Sequence, residues 1–184
     1  VFSFFALSAN TNPIVPDRII SPSENCLKLS SFDQQIPSNT YEVGKTSIDL
    51  ILISKANRKI YLIQKGKVIK KYPATFGSGY KDGHKTQEGD GRTPEGIYKI
   101  THKNLQSQFY KSLGISYPNS SDKSYAGKYK VNPGGAIMIH GMSNKLGSVA
   151  DNSIAADMIN SRNWTLGCIA VRNDSIDEIY SMIK

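Results

Sequence analysis

From Ser47 onward the sequence predicts a mainly β domain with peripheral helices, and three observations carry that prediction. Ile48, Leu50 and Leu52 alternate with Asp49, Ile51 and Ile53, the period-two repeat of a strand. Lys65-Gly66 separates two further strand-like runs, Lys59–Gln64 and Lys67–Phe76, as a hairpin turn does. Helical spacing occurs only late in the chain. In 152–161 it is carried by Ile154, Ala155, Met158 and Ile159, and at the end by Ile176, Ile179, Tyr180 and Ile183.

The elements follow in order. Residues 1–9, Val-Phe-Ser-Phe-Phe-Ala-Leu-Ser-Ala, are apolar and end in small residues. They read as the tail of a secretory signal peptide with Ala6-x-Ser8 as a cleavage site, or alternatively as a hydrophobic first strand. Residues 10–46 are rich in Pro, Ser and Asn without sustained periodicity and read as an N-terminal extension, with a short helix around Glu24–Leu29. The domain proper spans 47–184. Lys55-Ala-Asn-Arg58 makes a turn after the first strand, and Gly77-Ser-Gly79 with Asp82-Gly83 opens a long polar loop. Pro94-Glu-Gly96 leads into a strand at Ile97–Thr101. Residues 103–114 look amphipathic and weakly helical, ending at Gly114, and Ile137–His140 is a short apolar strand. The last helix begins with Asn173-Asp174 as cap and early acid.

Composition limits the partners without choosing among them. A chain of 184 residues with 39% hydrophobic residues holds one domain with a real core. Lys and Arg outnumber Asp and Glu by 23 to 15, so the +8 charge attracts polyanions. No recognition helix, aromatic RNA-binding motif or zinc spacing accompanies the scattered lysines, so nucleic acid is not expected as a partner. No run approaches the ~20 apolar residues of a membrane span, so stable membrane insertion is not expected. A monomer is expected.

Two segments concentrate chemistry: Gly135-Ala-Ile-Met-Ile-His140-Gly141 and Thr165-Leu-Gly-Cys168-Ile-Ala-Val-Arg-Asn173. Each sets a reactive side chain beside glycine at the end of an apolar run. A cysteine attacks as thiolate, and a nearby imidazole is the commonest group to activate it. Gly167 permits a tight turn, so its amide and that of Cys168 could converge on an oxyanion. Gly141 would leave room for substrate. Thr165 either hydrogen-bonds within the loop or is simply a β-branched strand residue. The other cysteine, Cys26, reads as incidental. His84 and His102 read as exposed. With no H-E-x-x-H or close ligand pair, no metal is expected.

Ile-His140-Gly followed by Thr165-x-Gly-Cys168 resembles the signature of the L,D-transpeptidases, the YkuD-type cysteine enzymes of bacterial peptidoglycan. Two further stretches, Lys85-Thr-Gln-Glu-Gly-Asp-Gly-Arg-Thr-Pro-Glu-Gly-Ile-Tyr-Lys-Ile100 and Ser112-Leu-Gly-Ile-Ser-Tyr-Pro-Asn119 ahead of Asp122, resemble the YafK-like branch. The chain departs from the common signature in three ways. Leu166 stands where a second histidine is usual, Ala170 stands where arginine is frequent, and the His-to-Cys interval is longer.

The resemblance implies a curved or barrel-like sheet in which Cys168 is the nucleophile and His140 its base. Cys168 would attack a peptide stem of peptidoglycan through a thioester, in the periplasm or cell envelope, with no cofactor. The thioester would pass to an amine, cross-linking stems or attaching a protein such as a wall-linked lipoprotein. The alternatives are a hydrolase of the same family cleaving a lipoprotein or stem linkage, and a non-catalytic wall-binding module. Arg92 and Tyr117 fall in the matching stretches. Arg92 either binds a substrate carboxylate or pairs with Asp90 or Glu95 to tie down its loop, and Tyr117 shapes a loop at the cleft. Arg172, four residues after Cys168, would share its face on a strand and could bind the carboxylate of a stem.

Overall fold

The computed structural model describes residues 4–8, 47–145 and 152–184, with 4–8 and 152–156 described by backbone alone. The extension 10–46, its expected helix and Cys26 lie outside the described residues.

Eight strands pair in the order β4-β3-β2-β1-β5-β6-β7-β8. They are β1 (Phe4–Ser8), β2 (Leu50–Ser54), β3 (Lys59–Gln64), β4 (Lys67–Pro73), β5 (Gly96–Ser107), β6 (Tyr110–Ile115), β7 (Met138–His140) and β8 (Ile169–Ala170). β5, twelve residues long, joins two halves. Its first residues pair in parallel with β1, and the rest pairs antiparallel with β6. The fold is thus mainly β, with two sheets sharing a strand and three described helices around them: α1 (Ser120–Tyr129), α2 (Asn152–Ser161) and α3 (Asn173–Met182).

The period-two pattern of β2 and β3 has a direct consequence. Side chains of a strand alternate between faces, and here both faces are apolar. Ile51, Ile53, Ile60 and Leu62 enter the main core with Ile69, Tyr72 and Phe76. Leu52, Tyr61, Ile63 and Val68 form a second cluster on the opposite face. The β3–β4 turn is Lys65-Gly66 as expected, with both residues at positive φ, the geometry that matches strand twist. The Lys65 amide donates to Asp49 Oδ2 at 2.6 Å.

Residues 4–8, for which the sequence offered a leader tail or a hydrophobic first strand, form β1 between β2 and β5. Three other features differ from expectation. The segment 103–114 is a β5–β6 hairpin instead of a helix. Asn104 Oδ1 accepts from the Gln106 amide at 2.8 Å and Ser107 Oγ from the Phe109 amide at 3.1 Å. Such short side chains capture their own backbone in turns, and this outweighed an apolar spacing that mimics a helical face. Leu105, in this hairpin, is 62% exposed.

α1 had not been anticipated. It starts with a capping box in which Asn119 Oδ1 accepts from the Asp122 amide and Asp122 Oδ2 accepts from the Asn119 amide. Lastly, α3 is capped by Arg172, not Asn173. The Asn173 carboxamide instead accepts from the Met142 amide at 2.8 Å, fixing the chain as it leaves β7. α3 buries Ile176, Ile179 and Met182 in the main core, as its spacing predicts.

Candidate active site

β7 and β8 are the shortest strands, yet they determine where the reactive residues meet. They run parallel, with Ile139 opposite Ile169 and His140 opposite Ala170. Carried one step back, that register sets Cys168 beside Met138, whose amide donates to the cysteine sulfur. Residues two apart on a strand share a face, so His140 and Cys168 look the same way from neighbouring strands. Both line one cavity of about 610 Å³, together with Lys85, Glu88, Phe109, Trp164 and Leu166.

The loop before Cys168 is held from within and from behind. Thr165 Oγ1 donates to the Cys168 carbonyl at 2.7 Å and accepts from the Gly167 amide at 3.2 Å. The Thr165 backbone pairs with the segment after β4: its amide donates to the Phe76 carbonyl and its carbonyl accepts from the Ser78 amide. Gly167 sits at φ 132, and a Cβ there would fall 2.7 Å from the Arg92 carbonyl oxygen. Only glycine fits that approach.

His140 is equally constrained. Its Nδ1 lies 2.7 Å from the Gly141 carbonyl. A carbonyl only accepts, so Nδ1 carries the hydrogen and Nε2 keeps its lone pair. Phe109 packs on the imidazole at 4.5 Å between centroids with the rings tilted by 41°, and Trp164 meets it edge-on at 5.9 Å. Burial pushes the imidazole pKa below its ordinary value, against the raising effect of the Gly141 carbonyl. Burial likewise pushes the Cys168 thiol up, opposed by the Met138 amide and by the charge of Lys85. At neutral pH the pair therefore rests as neutral thiol and neutral imidazole. The proton must move as the sulfur attacks.

The other sequence-derived positions fare unevenly. Thr165 does hydrogen-bond within the loop. Gly167 supplies the turn, but its amide is engaged by Thr165. Gly141 opens no room for substrate: a Cβ there would fall 2.5 Å from Asn173 Oδ1 and 3.2 Å from Ile176. Tyr117 is buried in the core and donates to the Pro133 carbonyl at 2.9 Å, so it supports the 134–137 wall of the cavity from beneath. Arg172 caps α3 and pairs with Asp174 at 2.8 Å. β8 ends at Ala170, which removes the strand that would have aligned Arg172 with Cys168.

Arg92 does not line the cavity. The carboxylates proposed for it belong to lysines: Asp90 pairs with Lys85 and Glu95 with Lys55, at 2.8 and 2.7 Å. His84, expected exposed, is half-buried. Its Nδ1 accepts from the Glu95 amide, and its Nε2 lies 3.1 Å from Asp122 Oδ1. His102 is exposed as expected.

Sequence reasoning missed Lys85, Phe109 and Trp164. The aromatics carry no motif, and Lys85 was read only as the start of a matching stretch. Leu166 stands on the cavity's lip and is 86% exposed, so the position where the common signature has its second histidine faces solvent.

The family model of the YkuD L,D-transpeptidase catalytic domain matches residues 48–184. YafK of Escherichia coli strain K12, a protein whose own L,D-transpeptidase assignment is provisional, is 31% identical over 105 residues. That match covers 55% of this chain and 32% of the relative, and YafK of strain O157:H7 matches to the same extent. The chain thus spans about a third of the length of these curated relatives.

Among solved structures, Bdellovibrio bacteriovorus Bd1075 is similar at 25% identity with a TM-score of 0.45, covering 71% of this chain and 42% of that one. An L,D-transpeptidase from Mycobacterium smegmatis is similar at 11% identity with a TM-score of 0.40, covering 88% of this chain and 84% of that one. With the family model extending from the start of the β-rich region to the last residue, the chain belongs to the YkuD L,D-transpeptidase catalytic-domain family.

Proposed function

We propose that this chain is an exported enzyme of the cell envelope that transfers peptide stems of peptidoglycan through a thioester on Cys168. The observation that carries the proposal is the shared cavity, lined both by Cys168, just before β8, and by an imidazole on β7 with its Nδ1 proton fixed on Gly141. His140 Nε2 takes the thiol proton as the sulfur adds to the carbonyl of the stem's diamino acid. The carbonyl π electrons move onto oxygen, which accepts from the Cys168 amide, while the Gly167 amide is engaged by Thr165. Collapse of this intermediate breaks the C–N bond, and the leaving D-alanine nitrogen takes the proton from His140. An acceptor amine then attacks the thioester, loses its proton to His140, and releases the sulfur.

Both walls of the cavity suit a peptide stem. Apolar Leu166, Phe109 and Trp164 line it beside polar Lys85 and Glu88. The +8 charge of the whole chain favours residence near an anionic envelope. Among the described residues no helix is long and apolar enough to cross a membrane.

The test is incubation with tetrapeptide muropeptides and with lipoprotein-linked peptidoglycan, products being read by mass. Cross-linked dimers or D-amino-acid exchange products are expected. Freed lipoprotein or shortened stems without new cross-links would assign the same thioester to hydrolysis instead. Binding without any product would leave a wall-binding module.

A further inference from the structure

Two buried lysines anchor the loop between β4 and β5, and they are used differently. Lys55 Nζ donates to the Gly83 carbonyl, the Thr93 carbonyl and Glu95 Oε1. An ammonium has three donors, so Lys55 is fully spent. Lys85 is as deeply buried, at 3% exposure, but among the described residues its Nζ donates only to the Gln87 carbonyl and to Asp90 Oδ1, at 2.9 and 2.8 Å. One N–H is left over on a side chain that lines the cavity with Cys168 and His140.

Lys85 is not the loop's only tie. Asp90 already gathers it by accepting from the amides of Thr86, Gln87 and Arg92. Burial alone would raise the Asp90 pKa, but Lys85 and these three amides outweigh it and hold the carboxyl at about 2. Taking a cation out of water costs several kcal/mol unless it is well compensated. A compensated cation with a spare donor, beside a thiol that burial makes harder to ionise, has an evident use.

We propose that Lys85 is a positioning residue whose fixed positive charge favours the anion that forms on Cys168. The inference rests on the reading of Cys168 as nucleophile and adds the group that offsets its burial. Lys85 shares the cavity wall with Cys168, whereas its partner Asp90 does not line the cavity, and a positive charge there works against the burial that pushes the thiol up. The remaining titratable groups facing Cys168 among the described residues are His140 from β7, which burial keeps neutral, and Glu88 from the Lys85 loop. Glu88 is turned toward Asn132, whose Nδ2 donates to its Oε2 at 2.7 Å. Among the described residues Lys85 is therefore the cation that lines the cleft.

The experiment is a pH titration of iodoacetamide alkylation at Cys168, read on the Cys168 peptide by mass so that Cys26 does not interfere. It is run on the full chain and on Lys85→Gln and Lys85→Arg, with thermal unfolding as a check of fold. Glutamine keeps an N–H for Asp90 but no charge; arginine keeps the charge. Removing one nearby opposite charge shifts a pKa by roughly one unit or more. Lys85→Gln should therefore raise the alkylation midpoint by about one unit, leaving about tenfold less thiolate at neutral pH. Lys85→Arg should stay near the parent.

An unmoved midpoint in Lys85→Gln overturns the inference, and so does an equal shift in both variants, which would assign the effect to packing. Should Lys85→Gln not fold, Lys85→Met is read in the same way. If neither neutral variant folds while Lys85→Arg does, the role is anchoring and the inference is overturned. Failure of the parent to turn over muropeptides while its alkylation profile responds to Lys85 would sink the proposed function alone. Intact turnover with an unresponsive profile would sink the inference alone.

Discussion

In β2, β3 and β4 each strand has five or more residues, the pairing runs antiparallel with one register shift, and the buried apolar side chains gather in clusters on both faces. In β7 and β8 the strands have three and two residues, they run parallel, and side-chain bonds from Thr165, Asn173 and Asn144 do much of the holding. The first half is stabilised by area removed from water, which is forgiving of any one contact. The second also sends Ile139 and Ile169 into the main core, but the loops around it depend on polar groups with few partners, so a buried group that loses its partner costs the full desolvation penalty. A reactive thiol needs the second kind of support, because its loop must hold a backbone no repetitive strand would adopt.

The largest expected effect separates the halves by activity. Cys168→Ala and His140→Ala should each lower turnover of muropeptides by at least about 10³-fold, because groups that act as a unit fail together. Both variants should keep the unfolding midpoint of the parent within a few degrees. Folded Cys168→Ala protein that still turns over would end the thioester mechanism.

A paired comparison tests the two kinds of support. Ile60, wholly buried in β3, should lose about 2–5 kcal/mol of stability on truncation to alanine, with kcat of the folded protein unchanged. Thr165→Val keeps the shape but removes the bonds to the Cys168 carbonyl and Gly167 amide. Its stability loss should be about 1–2 kcal/mol, with kcat falling about tenfold or more. If Ile60→Ala also cut kcat, the halves would be mechanically coupled and the distinction would fail. Denaturant unfolding and steady-state kinetics on the same samples decide it.

The same division explains what was legible. Alternation at 48–53 and the Lys65-Gly66 turn specified β2–β4 because burial on two faces is written directly into residue type. α2 and α3 were legible at 152–161 and 176–183 for the same reason, in helical spacing. The β5–β6 hairpin was not, because its turn depends on Asn104 and Ser107 folding back on their own amides, and these residues also occur on helix surfaces. At the site, Cys168 and His140 stood out by motif. The settings of Arg172 and Gly141 were not legible, because they depend on where β8 stops and on what α3 packs against, which are long-range facts. Lys85 was passed over because a lysine reads as surface until its burial is known.

Smaller effects follow from the resting protonation of the pair. Burial lowers the folded-state pKa of His140, so below about pH 6.5, the ordinary imidazole value, the unfolded chain takes up a proton that the native site resists. Its contribution to stability is therefore lost as pH falls below that value. Cys168 is shifted upward, so above about pH 8.5 the unfolded chain releases a proton that the native thiol keeps, and stability falls again. His140→Ala should flatten the acid limb and Cys168→Ala the alkaline limb of a stability–pH curve, while Ile60→Ala should shift the whole curve down without changing its shape. An acid limb unchanged in His140→Ala would mean that the imidazole is not held neutral by burial.

The smallest expected effect concerns Arg172, for which the sequence left a carboxylate binder and a solvated arginine equally open. Its guanidinium lies along Asp174 with Nε and Nη2 on the two carboxylate oxygens, at 3.2 and 2.8 Å. That contact lowers the Asp174 pKa chiefly through the Arg172 hydrogen bond. The aspartate is mostly exposed, so water and salt screen the pair, and such pairs contribute 0–1 kcal/mol as a rule. Arg172→Ala should accordingly change stability by less than about 1 kcal/mol and leave KM for a stem peptide within about twofold. A substrate carboxylate held by a bidentate arginine would behave otherwise, since a charge-assisted bond of about 1.5–3 kcal/mol corresponds to a rise in KM of roughly tenfold or more. A tenfold rise in KM with kcat unchanged would put Arg172 back in the cleft, and would require the Arg172–Asp174 pair to open when substrate arrives.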